Sequence, residues 1–585
     1  MRRDLLVDDD PSSASVNTPT LDGVMADVPG KAEENVDLII VGAGISGLAA
    51  AWYYRQRFGA QSRVLILDSS RHVGGATKRV EFNVDGHRLI TNGGASALTA
   101  PRSWNSLIID RFLADIGVDL ARFERDYCDT GLFPSLGLSS ATFFNREDFG
   151  VDRLVPGALA VAGTRPAEHQ RLTALIEQVP LEPADRAALT ALWFDRRVDL
   201  SFLPEDERAR FLRRISYRDF LVEHWQLSDP IVRLFERKTI GLFGSPAGFI
   251  PALDCAQAGL PGFQGIDCAE LARHRFLDEP DVYAFPDGLA SLVRMILCRL
   301  MPELALGATL EDVVTAPLDD ARLDSAEAAL RIRLRSSVVQ LENDADGVRV
   351  SYVHDETTRR VDARHCVFAS WSATLADLMP ELSERQRGAL QQVVKPPMCY
   401  TKVALRNWRP FVELAMHEVF APGAFFYKTE LDRPVSIGQY RFPRDPAQPI
   451  AITMVYRPCP GGDFTDYREE ARAAQHQLRE TQTATIVEAV HDQLERMLRG
   501  SDFEPDRDIE AISINRWPHT YSPTLNTLTD DPAHFEADTR AARARAGNVV
   551  VAGVDSHRFG WAQIAIDAAE RAVNELPTGN MEMRF

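Results

Sequence analysis

Three glycines at fixed spacing, Gly42, Gly44 and Gly47, directly follow an apolar segment and precede an alanine-rich one. A Gly-x-Gly-x-x-Gly pattern between a strand and a helix is the fingerprint of a dinucleotide-binding loop. The first glycine permits a tight turn, the second lets a pyrophosphate approach the backbone, and the third lets the helix pack close to the strand. The N–H groups and dipole of the helix N-terminus then favour the anion. Ser46 lies in this turn and is also predicted to bind the cofactor.

A second apolar segment, residues 63–67, ends in Asp68, about 20 residues beyond the glycines. A carboxylate at this position accepts hydrogen bonds from the ribose hydroxyls of a dinucleotide. An acid here also argues against a 2′-phosphate, because the two negative charges would repel. We therefore predict that Asp68 and the adjacent Ser69 bind the adenosine end of the nucleotide.

Two further glycine pairs follow shortly after this acid. Glycine lets backbone approach a ligand closely, and both pairs lie just beyond the nucleotide loop in the chain. Ordinary turns are the alternative interpretation. The residues predicted to contact the cofactor here are Gly74, Gly75, Ala76, Asn92, Gly93 and Gly94.

Composition narrows the class of protein. A chain of 585 residues is too long for one compact core, so two or more domains are expected. No apolar run reaches the roughly 18 residues of a membrane span, and a net charge of −19 disfavours nucleic acid. The seven cysteines form no Cys-x-x-Cys pair, so we expect no disulfide framework and no metal site. This pattern favours a reducing, cytoplasmic location.

The elements predicted to hold these motifs lie in separate parts of the chain. Residues 1–35 are polar and acidic and are predicted to form a disordered tail. Strand patterns appear near 330–335, 338–342 and 348–353, and a buried strand ends near Ala369. Another strand, glycine, acid and helix follow at 548–573, and one long helix is predicted over 467–499. The nucleotide-binding domain is thus assembled from separated pieces.

This order of parts resembles the flavin-dependent amine oxidase superfamily and, within it, the spermidine dehydrogenase-like subgroup. The similarity runs from about residue 36 to residue 578. The motifs that carry it are Gly74-Gly75-x-x-Lys78-Arg79-x-Glu81-Phe82, Gly259-Leu260-Pro261-Gly262-Phe263, Phe285-Pro286-Asp287-Gly288, Val403-Ala404-Leu405-Arg406-Asn407-Trp408, Tyr440-Arg441-Phe442-Pro443-Arg444 and Asn515-Arg516-Trp517-Pro518-His519.

The resemblance implies an α/β architecture, in which a Rossmann-like FAD-binding domain of the amine-oxidase type is interleaved with an α+β substrate domain. The FAD-binding pieces are residues 36–100, 281–372 and 545–578, and the substrate-binding pieces are 101–280 and 373–544. FAD rather than a free nicotinamide is the implied cofactor. Thr520 stands where flavin-linked relatives carry a cysteine, so non-covalent binding is expected.

The resemblance also assigns cofactor roles beyond the glycine loops. Lys78 and Arg79 are implied to lie along the ribityl–phosphate stretch, and Val338 to offer backbone to adenine. The remaining positions are implied to meet the pyrophosphate, the ribitol and the pyrimidine end of the flavin. They are Gly553, Asp555, Gln563, Ile564 and Ala565.

Oxidation of an amine requires an unprotonated nitrogen, yet a free alkylamine has a pKa near ~10.4. An apolar aromatic pocket lowers that pKa, and hydride transfer to flavin N5 then gives an imine that water hydrolyses. Lys402, eight residues before Pro410, matches the lysine that holds a water at N5 in many amine oxidases. A solvated strand lysine without a role is the alternative.

Amine oxidases also place two aromatic rings upright before the flavin. Trp561 matches one by position and Tyr521 the other, with Trp517 close by in the same loop. Such rings guide an amine by shape and by cation–π attraction. Core packing is the alternative interpretation, and His519 is expected to be structural rather than a base.

Three functions remain open from the sequence. The first is an FAD-dependent amine oxidase or dehydrogenase with a small, polyamine-like amine as substrate and oxygen or a redox partner as electron acceptor. The second is a flavoenzyme that oxidises an amino acid or a peptide-derived amine in specialised metabolism, with Arg516 as the carboxylate anchor. The third is a non-catalytic flavin-binding protein.

Overall fold

The structure is a computed structural model that describes residues 5–6, 31–99, 101, 106, 108–157, 166–272, 282–344 and 347–578. Most of the predicted N-terminal tail lies outside these residues. Within it, Leu5–Leu6 pairs in parallel with Ile512 and Ser513, and the first long strand already begins at Glu34.

A seven-stranded sheet forms the centre of the nucleotide-binding part. Its order is β8-β3-β2-β11-β10-β9. The seventh strand, β17, pairs with the last three residues of β11 on the edge away from β2. The pairs β3–β8, β2–β3, β2–β11 and β11–β17 are parallel, as expected of a Rossmann-like sheet. The strands are β2 (Glu34–Val41), β3 (Val64–Leu67), β8 (Leu330–Arg333), β9 (Ser336–Asp344), β10 (Gly347–His354), β11 (Thr357–Phe368) and β17 (Val549–Val551).

The central parallel strand β3 is apolar, as expected where both faces of a sheet are covered. All four residues of β3 are buried, which fits a parallel strand between two layers. The helices Ile45–Phe58, Ala290–Leu300 and Ala562–Glu575 share one core cluster with this sheet. The predicted Rossmann-like fold is confirmed.

An eight-stranded sheet forms the second part, in the order β1-β16-β12-β15-β14-β13-β6-β7. Its strands are β1 (Leu5–Leu6), β6 (Ser139–Phe144), β7 (Arg153–Pro156), β12 (Met398–Leu405), β13 (Met416–Phe420), β14 (Lys428–Leu431), β15 (Ile450–Tyr456) and β16 (Ile509–Trp517). Apart from β1, they come from the segments that the sequence assigns to substrate binding. The boundaries of that division stay a prediction.

A two-stranded hairpin, β4 (Arg79–Val84) and β5 (His87–Asn92), joins the two parts. The sequence pattern does not predict this hairpin. Apolar residues of the hairpin share a small core with Ala404 of β12 and Ala451 of β15. The hairpin thus carries Asn92 from the nucleotide-binding part to the face of the second sheet.

Some of the α-helices pack on the two sheets, and those between Pro166 and Gln257 form a core of their own with Phe144 and Val155. The α-helices are Ile45–Phe58, Ile109–Ile116, Leu132–Ser135, Arg146–Phe149, Pro166–Gln178, Pro183–Phe194, Glu205–Arg214, Tyr217–Asp219, Asp229–Glu236, Ile240–Phe243, Ala252–Gln257, Ala290–Leu300, Leu310–Val313, Leu375–Leu378, Glu384–Gln391, Arg409–Glu413, Tyr467–Glu480, Thr483–Met497, Pro505–Asp508, Pro532–Ala542 and Ala562–Glu575. Across the described residues, no helix combines the length and the apolar character needed to cross a bilayer.

The prediction of a single helix over residues 467–499 is wrong. The structure has two helices instead. The first ends at Glu480 and the second begins at Thr483, because Thr481 and Gln482 between them adopt an extended backbone. The guanidinium of Arg516 donates to the Thr481 carbonyl at 3.0 Å and to the Thr483 hydroxyl at 3.1 Å, which stabilises the break.

Candidate active site

A cavity of about 1010 Å³ lies where the two parts meet. The glycine loops of the first sheet form one wall, and Trp517 with the loop that follows it forms the other. Small-molecule sites usually occupy about 300–1,000 Å³, so this cavity has room for a large ligand.

The glycine loops pack against one another as the motif predicts. Gly42 has a φ of +108°, which is a left-handed conformation that favours glycine. A Cβ on Gly47 would lie 1.9 Å from the Gly42 carbonyl oxygen, so only glycine lets the helix approach the strand here. The Gly74 N–H donates to the Ala43 carbonyl at 3.0 Å and holds the second loop beside the first.

Asp68, which directly follows β3, lines the cavity beside the glycine loops. Its carboxylate accepts the N–H of Ala43 at 2.6 Å, the N–H of Ser70 at 2.8 Å and the Ser70 hydroxyl at 2.5 Å. A carboxylate has about four acceptor sites, so capacity for a ribose hydroxyl remains. Ser69 and Val338 line the cavity beside it.

The C-terminal segment completes the wall. Ser46, in the first helical turn of Ile45–Phe58, accepts the Gly553 N–H at 2.8 Å. Asp555 forms a buried ion pair with Lys395, whose Nζ lies 3.0 Å from Oδ1, and Oδ2 accepts the Ser372 N–H at 3.1 Å. Burial alone would raise the pKa of Asp555, but the Lys395 ammonium and these hydrogen bonds hold it below its usual range.

Most of the predicted cofactor residues meet at the cavity. Those lining it are Gly42, Gly44, Ser46, Asp68, Ser69, Gly74, Gly75, Ala76, Gly94, Val338, Gly553, Asp555 and Ala565. Those behind its surface are Gly47, Lys78, Arg79, Asn92, Gly93, Gln563 and Ile564. Several of the second group support the wall: the Gly93 carbonyl accepts the Trp517 indole N–H at 2.7 Å, and the Gln563 amide donates to the Thr99 carbonyl at 2.8 Å.

Arg79 and Lys78, which are predicted to lie along the cofactor, do not line the cavity. Arg79 donates to the fully buried carboxylate of Asp287 at 3.0 Å and also pairs with Glu81 at 2.6 Å. A buried carboxylate left without a cation would be costly, so Asp287 holds the Arg79 guanidinium in this ion pair. Lys78 is buried next to it and does not reach the cavity surface.

Lys402 likewise does not line the cavity, contrary to the prediction that it holds a water at the flavin. Its ammonium is buried and donates to Asn92 Oδ1 at 3.0 Å, to Asp432 Oδ1 at 2.9 Å and to the Thr453 hydroxyl. An ammonium has three donors, so these three acceptors satisfy it. The Asn92 amide in turn donates to the Gly94 carbonyl at 3.0 Å, and Lys402 therefore supports the wall from behind.

The predicted aromatic residues do reach the cavity. Trp561, Tyr521 and Trp517 all line it, and Trp561 packs edge-on against Phe559 with ring centroids 4.7 Å apart. The Tyr521 hydroxyl donates to the Gly241 carbonyl at 3.0 Å, which fixes its ring. Tyr400 also lines the cavity and was missed, although its place two residues before Lys402 puts both on one face of β12.

His519 lies in the wall as part of an aromatic stack. Its ring is 3.7 Å from that of Trp371, with an interplanar angle of 22°, and Nδ1 lies 3.1 Å from the Gln475 amide nitrogen. Burial and then the charge of Lys395 lower the pKa of His519 to about 3. The ring is therefore neutral near pH 7.

Arg516 does not fit the role of a carboxylate anchor, because it holds the break between two helices and does not line the cavity. In the described part of the lining, the cationic side chains besides histidine are Arg213, Lys395 and Arg558. Each already has a partner: Arg213 pairs with Glu270, Lys395 with Asp555, and Arg558 lies over a phenylalanine ring. The sequence offered no local signal for any of the three.

The donor set fits FAD bound without a covalent link. Glycine backbone, the start of the helix Ile45–Phe58 and the Asp68 carboxylate form a cradle for a dinucleotide, and aromatic rings line the same cavity. No cysteine is among its described lining residues, and Thr520 is held to the Pro396 carbonyl at 2.7 Å. In the described chain, no group of histidine, cysteine and acidic residues could hold a metal ion.

Comparison with known families agrees with this geometry. Residues 40–110 match the NAD(P)-binding Rossmann-like domain family, and residues 310–577 match the family described as flavin containing amine oxidoreductase. A search of the curated proteins found no significant match.

Solved structures share the fold at low identity. Cyclohexylamine oxidase from Brevibacterium oxydans IH-35A is 16% identical, with a TM-score of 0.51 over 92% of this chain and 98% of its own. A double mutant of putrescine oxidase is 14% identical, with a TM-score of 0.51 and the same coverage. A putative protoporphyrinogen oxidase from Exiguobacterium sp. 255-15 is 15% identical, with a TM-score of 0.53 over 93% of this chain and 99% of its own.

Proposed function

We propose that this FAD-dependent oxidoreductase of the flavin-containing amine oxidase superfamily oxidises a C–N bond of an aliphatic, polyamine-like amine. The observation that carries the proposal is the aromatic end of the cavity, where Trp561, Tyr521 and Tyr400 line the same space as the dinucleotide cradle. The spermidine dehydrogenase-like subgroup is part of the proposal, as is a cytoplasmic location. The absence of disulfides among the seven cysteines supports that location.

FAD, when bound, supplies an acceptor for the hydride that leaves the carbon next to nitrogen. The chain has to bring the amine to that acceptor in its neutral form. The rings of Trp561, Tyr521 and Tyr400 penalise the ammonium by excluding water, which lowers the pKa of the amine from near ~10.4. Their faces also attract the cation on entry and orient it.

Lys395 and Asp555 hold the wall between the two parts, and the neutral stack of His519 on Trp371 seals it. A dry site strengthens each polar interaction inside it. In this proposal the imine leaves the aromatic end and is hydrolysed by water, and bound FAD would supply the means to pass the two electrons to an external acceptor. Oxygen and a redox partner are the two candidate acceptors.

The test is anaerobic mixing of the purified FAD-bound protein with polyamines, monoamines and amino acids, while the visible absorbance of the flavin is followed. Bleaching by polyamines or aliphatic amines supports the proposal. Bleaching by amino acids alone would favour the second candidate, a flavoenzyme of amino acid or peptide-derived substrates. An FAD-bound protein that no amine bleaches would favour the non-catalytic alternative.

A further inference from the structure

One large apolar side chain of the cavity lining is open to solvent. Leu242 lines the cavity, yet it is 51% exposed, which places it among the most exposed large apolar residues of the described chain. A residue that belongs to the lining and is also exposed lies where the cavity meets solvent. Leu242 therefore marks a mouth of the cavity.

This mouth lies close to the aromatic end. Leu242 belongs to the short helix Ile240–Phe243, and the carbonyl of the preceding Gly241 accepts the Tyr521 hydroxyl at 3.0 Å. Consecutive Cα atoms are about 3.8 Å apart, so Leu242 begins one residue beyond the group that binds the tyrosine. Gly241 also lines the cavity, and a Cβ on it would meet nothing within 4 Å. The path from the aromatic rings to Leu242 is therefore open.

The short helix is fixed relative to the tyrosine. It ends at Gly244, which has a φ of +71°, and a Cβ there would lie 2.9 Å from a ring carbon of Tyr521. The Gly244 carbonyl accepts Nε of the buried Arg457 at 3.2 Å, and Glu470 binds the same guanidinium at 2.5 Å. These contacts hold Leu242 at a set position beside the aromatic end.

A second segment contributes carbon to the same side of the cavity. Leu525 lines the cavity four residues after Tyr521, and the neighbouring Asn526 amide donates to the Phe249 carbonyl at 2.7 Å. This bond and the tyrosine bond hold the segment alongside the short helix and the residues that follow it. Covering exposed carbon is favourable roughly in proportion to its area, and a methylene chain covers it without giving up hydrogen bonds to water.

We infer that Leu242 and Leu525 form a subsite for the alkyl chain of the amine, and that Leu242 sets the preference for chain length. This inference rests on the proposed function and adds to it the part of the substrate beyond the reacting nitrogen. The nitrogen lies at the aromatic end, the chain passes Gly241, and its methylene groups cover Leu242. These methylenes belong either to the tail of a monoamine or to the segment between two nitrogens of a polyamine.

The test measures kcat/KM for anaerobic flavin reduction by unbranched primary amines from propylamine to decylamine, and by the α,ω-diamines of the same lengths. In at least one series the wild-type kcat/KM should rise with chain length. Leu242→Ser should lower the ratio of the longest to the shortest amine in that series by about fivefold, because less carbon is left to cover. Leu242→Met should keep most of the ratio, and Gly241→Leu, which narrows the path, should lower it.

Phe202→Ser is the matched control, because Phe202 is 76% exposed and does not line the cavity. It should leave the ratio as in the wild type. An effect of Leu242→Ser in the monoamine series alone assigns the subsite to an alkyl tail, and an effect in the diamine series assigns it to the methylenes of a polyamine.

A ratio that Leu242→Ser leaves unchanged in both series, or a wild-type kcat/KM that does not depend on chain length, overturns the subsite while the proposed function stands. If no amine reduces the wild-type flavin, the proposed function itself fails, and the subsite falls with it.

Discussion

Lys395 Nζ lies 3.0 Å from Asp555 Oδ1, and this ion pair joins the two halves of the molecule in the cavity wall. Lys395 precedes β12 of the eight-stranded sheet, whereas Asp555 follows β17 of the seven-stranded sheet. Both side chains are more than nine-tenths buried. The pair therefore couples the position of the second sheet to the segment that carries Gly553.

Breaking this pair from one side should destabilise the protein strongly. Lys395→Met or Asp555→Asn leaves a buried group without its partner, which costs about 3–5 kcal/mol in comparable cases. Urea unfolding of the FAD-bound protein measures the loss. The double variant should recover part of it, and Asp502→Asn, in an exposed pair with Arg507, should change stability by less than about 1 kcal/mol. Equal effects of the buried and exposed substitutions would contradict this role.

The close approach of helix and strand at Gly47 should not tolerate a side chain. Gly47→Ala places a Cβ 1.9 Å from the Gly42 carbonyl oxygen, so backbone must move in the nucleotide loop. We expect protein that is unfolded or purifies without FAD, as read from its visible spectrum. Gly388→Ala is the control: its Cβ meets nothing within 4 Å in the helix Glu384–Gln391, and it should stabilise by roughly 0.5–1 kcal/mol.

Lys402→Met should reveal a structural rather than a chemical role for this lysine. The substitution leaves the carboxylate of Asp432, only 14% exposed, without its cation, so stability should fall by about 3–5 kcal/mol. In the fraction that keeps FAD, the rate of anaerobic reduction by an amine should stay within about threefold of the wild type. A reduction rate that falls by orders of magnitude at full FAD occupancy would restore the role at the flavin.

Features that depend on neighbours close in the chain are the ones that the sequence predicts. The turn at Gly42, the tight packing at Gly47 and the acid at Asp68 depend on neighbours within one strand–turn–helix–strand unit, so local spacing predicts them. Strand alternation also places Tyr400 on the face of Lys402, a signal that could have identified a further aromatic residue.

The errors concern side chains whose partners lie far away in the chain. Lys402 has the expected spacing, but Asn92 and Asp432 reach its ammonium from other segments and withdraw it from the cavity. Arg79 is likewise bound by Asp287. Tertiary packing decides these contacts, and the unexpected hairpin supplies Arg79 and Asn92 to two of them.

Two buried histidines should make the protein less stable in mild acid. Burial and then Arg364 lower the pKa of His365 to about 4, and burial and then Lys395 lower the pKa of His519 to about 3. In the unfolded chain both titrate near pH ~6.5, so between about pH 6.5 and about pH 4 the unfolded state binds more protons than the folded state. Stability therefore falls as the pH is lowered through this range.

Thermal melting of the FAD-bound protein across this range measures the effect. His365→Asn removes one titrating group, whose Nδ1 lies 3.0 Å from the Tyr54 hydroxyl, and it lies away from the cavity. The fall in Tm between about pH 6.5 and about pH 4 should then be smaller than in the wild type. His534→Asn, at a histidine whose side chain is 87% exposed, is the control and should keep the wild-type slope. Identical slopes for His365→Asn and the wild type would show that the buried ring takes up a proton in the folded state.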